Sequence, residues 1–189
     1  MSFMVCVYLP EGIVMAADSR ITRTDKGKEV VDGVEHIRET KYTLSDNGQK
    51  VFLLSKVSCG ISFCGGVFID GITIADYLRQ FEITQLDEND TVCTVAEKLL
   101  KYYGRSETSF FVSGYLGDEP YVYDVSANSC KRRNINDDNT ISYNALWNGK
   151  KDAVSKLLNA DPVCYVDWKS MPLKDGVELA EFFVDLTMK

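Results

Sequence analysis

The spacing of apolar residues changes along the chain from a repeat of about two, typical of strands, to a repeat of about 3.6, typical of helices, and back again. This change constrains the fold more than any other feature of the sequence. Short apolar or alternating runs typical of strands occupy seven segments, at 3–9, 13–17, 51–54, 57–64, 109–115, 121–125 and 141–147. Apolar residues recur at helical spacing at 71–81, 92–103, 152–158 and in a last segment opened by Pro172. The order is strands, two helices, strands, two helices.

Grouped strands and grouped helices, in place of strict alternation, predict antiparallel sheets with segregated helices. Two sheets packed face to face between two helical layers would bury every apolar face. We therefore predict an α+β fold, a four-layer αββα sandwich. The length of 189 residues fits a single domain over 1–189. A polar segment at about 22–48 interrupts the strands, and we interpret it as a long loop.

Composition excludes several classes of function. A net charge of −7 disfavours binding to nucleic acid, and no apolar run reaches the ~18 residues that a membrane span needs. The first residues lack the basic segment of a secretory signal, so we expect a cytoplasmic protein. The six cysteines form no C-x-x-C pair, and His36 is the single histidine. We expect no metal, no cofactor and no Ser-His-Asp triad.

The N-terminal dipeptide Met1-Ser2 offers a different nucleophile. Methionine is ordinarily removed before a small residue, which would leave Ser2 with a free α-amine beside its hydroxyl. An unperturbed α-amine has a pKa of about 7.7 and can accept the hydroxyl proton near neutral pH without a histidine.

Three segments resemble motifs of proteasome β-subunits and their bacterial relatives. Residues 12–20 read GIVMAADSR, similar to the family's G-hydrophobic-hydrophobic-A-A-x-D-S-R segment. Aligned on Gly12 without a gap, the family's N-terminal threonine falls on Ser2. Residues 49–51 (QKV) resemble the family's N-K-V, and residues 64–66 (CGG) resemble its S-G-C or A-G-G turn.

The resemblance implies a role for each matched residue. Ser2 would be the nucleophile and its own amine the base. Lys50 would supply positive charge beside them and pair with Asp18, and the Gly65 N–H would receive the carbonyl oxyanion. Alignment also places three apolar residues in the substrate pocket, and these predict a preference for apolar P1 residues: Ile21, Phe63 and Val67.

The function that the resemblance implies is hydrolysis of peptide bonds through an acyl-enzyme. It further implies peptides or unfolded polypeptides as substrates, a homo-oligomeric ring and an ATPase unfoldase as partner. Two alternatives stay open: an amidase of the same class that acts on small amides, and a non-catalytic structural subunit of such a ring. The sequence ends at Lys189 with the last apolar-faced helix, whereas the family carries closing strands after that helix. Compared with the family, we therefore expect an incomplete C-terminus.

Overall fold

The computed structural model describes residues 2–31, 34–103, 107–150, 152–158 and 165–188. These residues form a mixed α+β structure with four helices and antiparallel sheets. The strands are β1 (Phe3–Leu9), β2 (Gly12–Ala17), β3 (Ile21–Val31), β4 (Val34–Ser45), β5 (Val51–Leu54), β6 (Cys59–Cys64), β7 (Phe68–Ile69), β8 (Ile72–Thr73), β9 (Ser109–Leu116), β10 (Glu119–Ser126), β11 (Ser129–Arg132) and β12 (Asn144–Gly149). The helices are α1 (Ile74–Gln85), α2 (Val92–Tyr103), α3 (Asp152–Leu158) and α4 (Leu173–Met188).

Two sheets carry most of the strands. One has three strands in the order β12-β1-β2, and the other has five in the order β11-β10-β9-β6-β5. The turn residues Pro10 and Glu11 between the first two apolar runs predict a hairpin, and the structure confirms it, with Leu9 opposite Gly12. The partner of β1 on its other side is β12, about 140 residues further along the chain, with Phe3 opposite Gly149.

Both faces of β1 are buried because its side chains alternate between two apolar clusters. Phe3, Val5, Val7 and Leu9 pack with residues of α3 and α4, including Phe183. Met4, Cys6 and Tyr8 pack with residues of the five-stranded sheet, such as Phe111 and Val122. A strand whose seven residues are all apolar and all buried is expected where a sheet is covered on both sides.

The five-stranded sheet buries its other face against α1 and α2. Phe110 and Val112 of β9 lie in one cluster with Leu78 and Phe81 of α1 and with Leu99 of α2. The predicted apolar face of α2 is confirmed, since Val92, Val95, Ala96, Leu99 and Tyr103 are its buried residues. Thr73 caps α1 by accepting a hydrogen bond from the backbone N–H of Asp76.

The polar segment interpreted as a loop at about 22–48 is largely a two-stranded ribbon, which corrects that interpretation. β3 and β4 pair from Ile21 opposite Ser45 to Val31 opposite Val34, with a bulge beside Ile21. The apolar residues of the ribbon, such as Ile37 and Leu44, are exposed and scattered among charged ones, so alternation of apolar residues gave no signal. Cross-strand ion pairs such as Lys26–Glu39 and Lys28–Glu35 stabilise the pairing instead.

Within the described ranges, no helix combines the length and the apolar character required to cross a membrane.

Candidate active site

Ser2 stands immediately before β1, and the end of the neighbouring strand β12 fixes its backbone. Its carbonyl oxygen accepts a hydrogen bond of 2.8 Å from the N–H of Lys150, just beyond the end of β12. Gly149 allows this approach because it has a φ of +94° and no Cβ to meet the Ser2 carbonyl. The nucleophile predicted from sequence is therefore anchored at a strand end.

Asp18 follows β2 and faces Ser2 across the hairpin. Its N–H donates to the Phe3 carbonyl at 3.1 Å, which ties the end of β2 to the start of β1. One carboxylate oxygen, Oδ1, accepts from the Phe3 N–H at 2.7 Å and from the Ser2 hydroxyl at 3.4 Å. The other, Oδ2, accepts from the Arg20 N–H at 3.1 Å. Asp18 is buried, and these donors hold its carboxylate in one orientation.

Lys50 reaches the same point from the other sheet. It immediately precedes β5, where its carbonyl accepts from the Phe63 N–H at 3.1 Å. Its Nζ lies 2.7 Å from Asp18 Oδ2, 2.7 Å from the Arg20 carbonyl and 3.1 Å from Ser2 Oγ. The ammonium therefore uses all three of its protons, one of them on the Ser2 hydroxyl.

Gly65 follows β6 and borders the same cavity as Ser2 and Lys50. Its φ of +116° lies in a region that other residues rarely adopt. Its N–H donates to no group among the described residues. An unpartnered N–H that borders the same cavity as a serine hydroxyl is one element that an oxyanion hole requires.

The cavity at this point has a volume of about 190 Å³ and is lined by Ser2, Arg20, Thr22, Lys50, Gly65 and Val67. Of the three residues expected in the substrate pocket, Val67 lines it. Phe63 instead lies in the core cluster beside Phe110, and Ile21 packs against Gly48. The lining is therefore more polar than the sequence predicted.

Arg20 and Thr22 are residues of the cavity wall that the sequence did not single out. The Arg20 carbonyl also accepts a hydrogen bond from Lys50, and its guanidinium Nε pairs with Asp46 at 2.6 Å, where β4 ends. The only sequence signal for Arg20 was its place in the GIVMAADSR segment, and Thr22 gave none.

Other potential nucleophiles and ligands lie elsewhere or are suppressed. Burial raises the pKa of the Cys64 thiol to about 12, although it is the neighbour of Gly65. His36 is exposed on β4 of the ribbon. The described part of the chain contains no group of three or more His, Cys, Asp or Glu side chains that could hold a metal ion.

Comparison with known proteins does not assign a family. No protein-family model matches the chain, and no curated protein matches it.

Proposed function

We propose that the chain is an N-terminal nucleophile hydrolase built like a proteasome β-subunit, which cleaves peptide bonds through an acyl-enzyme on Ser2. The form that acts is the one from which Met1 has been removed. One observation carries the proposal: the buried ammonium of Lys50 contacts both the Ser2 hydroxyl, at 3.1 Å, and the Asp18 carboxylate, at 2.7 Å.

This geometry supports a specific sequence of proton transfers. Ser2 Oγ attacks the carbonyl carbon of the substrate, and the hydroxyl proton passes to the α-amine of Ser2. The positive charge of Lys50 favours the anionic form of Oγ, and Asp18 holds that charge in place. The Gly65 N–H stabilises the oxyanion of the tetrahedral intermediate. The α-ammonium then gives its proton to the departing amine, and water hydrolyses the ester that remains on Ser2.

The fold is consistent with this class. Helices α3 and α4 on one side of the three-stranded sheet, and α1 and α2 on the outer side of the five-stranded sheet, are what a four-layer αββα sandwich over residues 1–189 would contain. Assembly into a homo-oligomeric ring, an ATPase unfoldase partner and a cytoplasmic location are parts of the same proposal, and they rest on the family resemblance alone.

Two measurements on the purified protein test the proposal. Intact mass should show a chain that begins at Ser2, because a retained methionine would convert the catalytic amine into an amide. Fluorogenic peptides with apolar, acidic and basic P1 residues should then reveal turnover. Retention of Met1 on nearly every chain would contradict the mechanism and favour the non-catalytic structural subunit.

The matched variants are Ser2→Ala and Ser2→Thr. Ser2→Ala should abolish turnover, because binding and the oxyanion hole alone retain only a residual acceleration. Ser2→Thr should retain it, because threonine supplies the same hydroxyl and amine. Turnover that survives Ser2→Ala unchanged would belong to another site or to a contaminant.

A second candidate is the amidase that acts on small amides, and the size of the cavity favours it. A volume of about 190 Å³ is below the roughly 300–1,000 Å³ of typical ligand pockets, and Val67 is the single apolar side chain in the lining. Small amides tested beside the peptides separate the two candidates. Ser2-dependent cleavage of amides alone would favour the amidase.

A further inference from the structure

The turn that carries Gly65 is packed against the residues that enter β9. A Cβ built on Gly65 would lie 2.7 Å from the Glu107 carbonyl oxygen and 2.9 Å from the Thr108 Cα. These distances are shorter than side-chain carbons tolerate, so the backbone at 107–108 forms a wall behind Gly65. Cys64, which precedes the turn, pairs with Ser109 in the ladder between β6 and β9.

Thr108 holds the far end of the same turn. It is 1% exposed, and its hydroxyl Oγ1 donates to the carbonyl oxygen of Gly66 at 3.1 Å. Its own carbonyl accepts a hydrogen bond from the Tyr103 hydroxyl, which links the segment to α2. Consecutive residues, Thr108 and Ser109, therefore fix both ends of the turn.

We propose that Thr108 is a positioning residue for the oxyanion hole. The Gly66 carbonyl and the Val67 nitrogen belong to one peptide unit, which the Thr108 hydroxyl orients. Gly65, whose N–H is the proposed oxyanion donor, lies one residue before this unit, and Val67 at its far end lines the same cavity as Gly65. Thr108 does not line the cavity and acts through the turn. The inference rests on the proposed function.

Kinetics of two near-isosteric variants test this role. Thr108→Val keeps the shape and removes the donor, whereas Thr108→Ser keeps the donor and removes a methyl group. We expect Thr108→Val to lower kcat on the order of ten- to a hundredfold with little change in KM, because a misplaced catalytic group costs about 10²-fold per ångström. Thr108→Ser should restore most of kcat.

Thermal unfolding separates positioning from stability alone. A purely structural role would lower the melting temperature of Thr108→Val but leave the kcat of the folded fraction unchanged, and that result would overturn the proposal. If Thr108→Val does not fold, Thr108→Ala removes the same hydroxyl with a smaller side chain. The same fall in kcat is expected, and an unchanged kcat would again overturn the proposal.

A direct measurement of the hydrogen bond is independent of activity. The sequence has three Gly-Val pairs, at 33–34, 66–67 and 176–177. A sample labelled with carbonyl-¹³C glycine and ¹⁵N valine therefore gives three correlated carbonyl-amide resonances. We expect Thr108→Val to move the resonance of the 66–67 pair and leave the other two in place, and Thr108→Ser to return it. An unmoved 66–67 resonance would show that the hydroxyl does not orient this peptide.

The outcomes distinguish the inference from the proposed function. If wild-type turnover is absent or does not depend on Ser2, the proposed function fails and the inference falls with it. If turnover depends on Ser2 while Thr108→Val has the wild-type kcat, the positioning role alone is wrong.

Discussion

Breaking the contact between Lys50 and Asp18 should destabilise the protein in a way that a double-mutant cycle can isolate. The two side chains are 2% and 0% exposed, and their charged atoms are 2.7 Å apart. Lys50→Met keeps much of the aliphatic chain but leaves the Asp18 carboxylate buried without its counter-ion. Asp18→Ala likewise leaves the Lys50 ammonium buried without its counter-ion.

The expected magnitude follows from the cost of an unpaired buried charge. Removing one partner of a buried ion pair costs about 3–5 kcal/mol of the free energy of unfolding, against a total of about 5–15 kcal/mol for a typical protein. Asp18→Ala should be the more severe change, because it also leaves the backbone N–H groups of Phe3 and Arg20 without their acceptor.

The double variant should be less destabilised than the sum of the two single variants, by about 2 kcal/mol. Neither charge is left alone when both are removed, and interacting pairs show coupling of about 0.5–3 kcal/mol. Urea unfolding of the four proteins measures the cycle. Lys26 and Glu39 on the ribbon provide the control, since their side chains are 69% and 47% exposed. Lys26→Met and Glu39→Ala should each cost at most about 1 kcal/mol, with negligible coupling.

Additive effects at positions 18 and 50, within about 0.5 kcal/mol, would refute the reasoning. Such a result would mean that the two groups do not depend on each other in the folded protein. The electrostatic argument for activating Ser2 would then lose its basis, because it requires Asp18 to hold the Lys50 charge in place.

Two further predictions concern the backbone and the response to pH. Gly65→Ala should destabilise the protein more than Gly71→Ala. Both glycines have positive φ (+116° and +80°), but only a Cβ on Gly65 would lie within 3 Å of other atoms, the Glu107 carbonyl oxygen and the Thr108 Cα. Urea unfolding that ranks the two variants the other way would contradict this. The free energy of unfolding should fall as pH rises from 9 towards 12, because burial raises the pKa of Cys6 and of Cys64 from 9.0 to about 12. Between these pH values the thiols of the unfolded protein have lost protons that the folded protein keeps, so each thiol lowers the free energy of unfolding by about 1.4 kcal/mol per pH unit. Urea unfolding in reductant measures this, and a free energy of unfolding that stays level between pH 8 and pH 10.5 would contradict the prediction.

The sequence predicted the local elements better than their partners. The range of α2 and the hairpin of β1 and β2 follow directly from apolar periodicity and from the turn at Pro10-Glu11. The pairing of β1 with β12 could not be predicted, because a strand pattern shows which face is apolar and not which distant segment will lie beside it.

The ribbon shows a different limit. β3 and β4 contain threonines, valines and many charges, and the described side chains on both faces of the ribbon are largely exposed. Periodicity identifies strands through burial, so a ribbon without a buried face resembles a polar loop in sequence. Its start beside Arg20 and its end beside Asp46 nevertheless place it at the rim of the cavity, where the Arg20–Asp46 ion pair joins its two ends.

Alternation of side chains also decides which residues can set specificity at this site. In β6, Phe63 faces the cluster shared with α1 and α2 and does not line the cavity, whereas Gly65 borders it from beyond the end of the strand, where alternation no longer applies. After β2, Arg20 and Thr22 line the cavity whereas Ile21 between them packs on Gly48. The sequence resemblance could predict that Asp18, Lys50 and Gly65 lie together, because each of them is fixed by the end of a strand. It could not assign the wall residues, since a shift of one residue reverses the face that each side chain occupies.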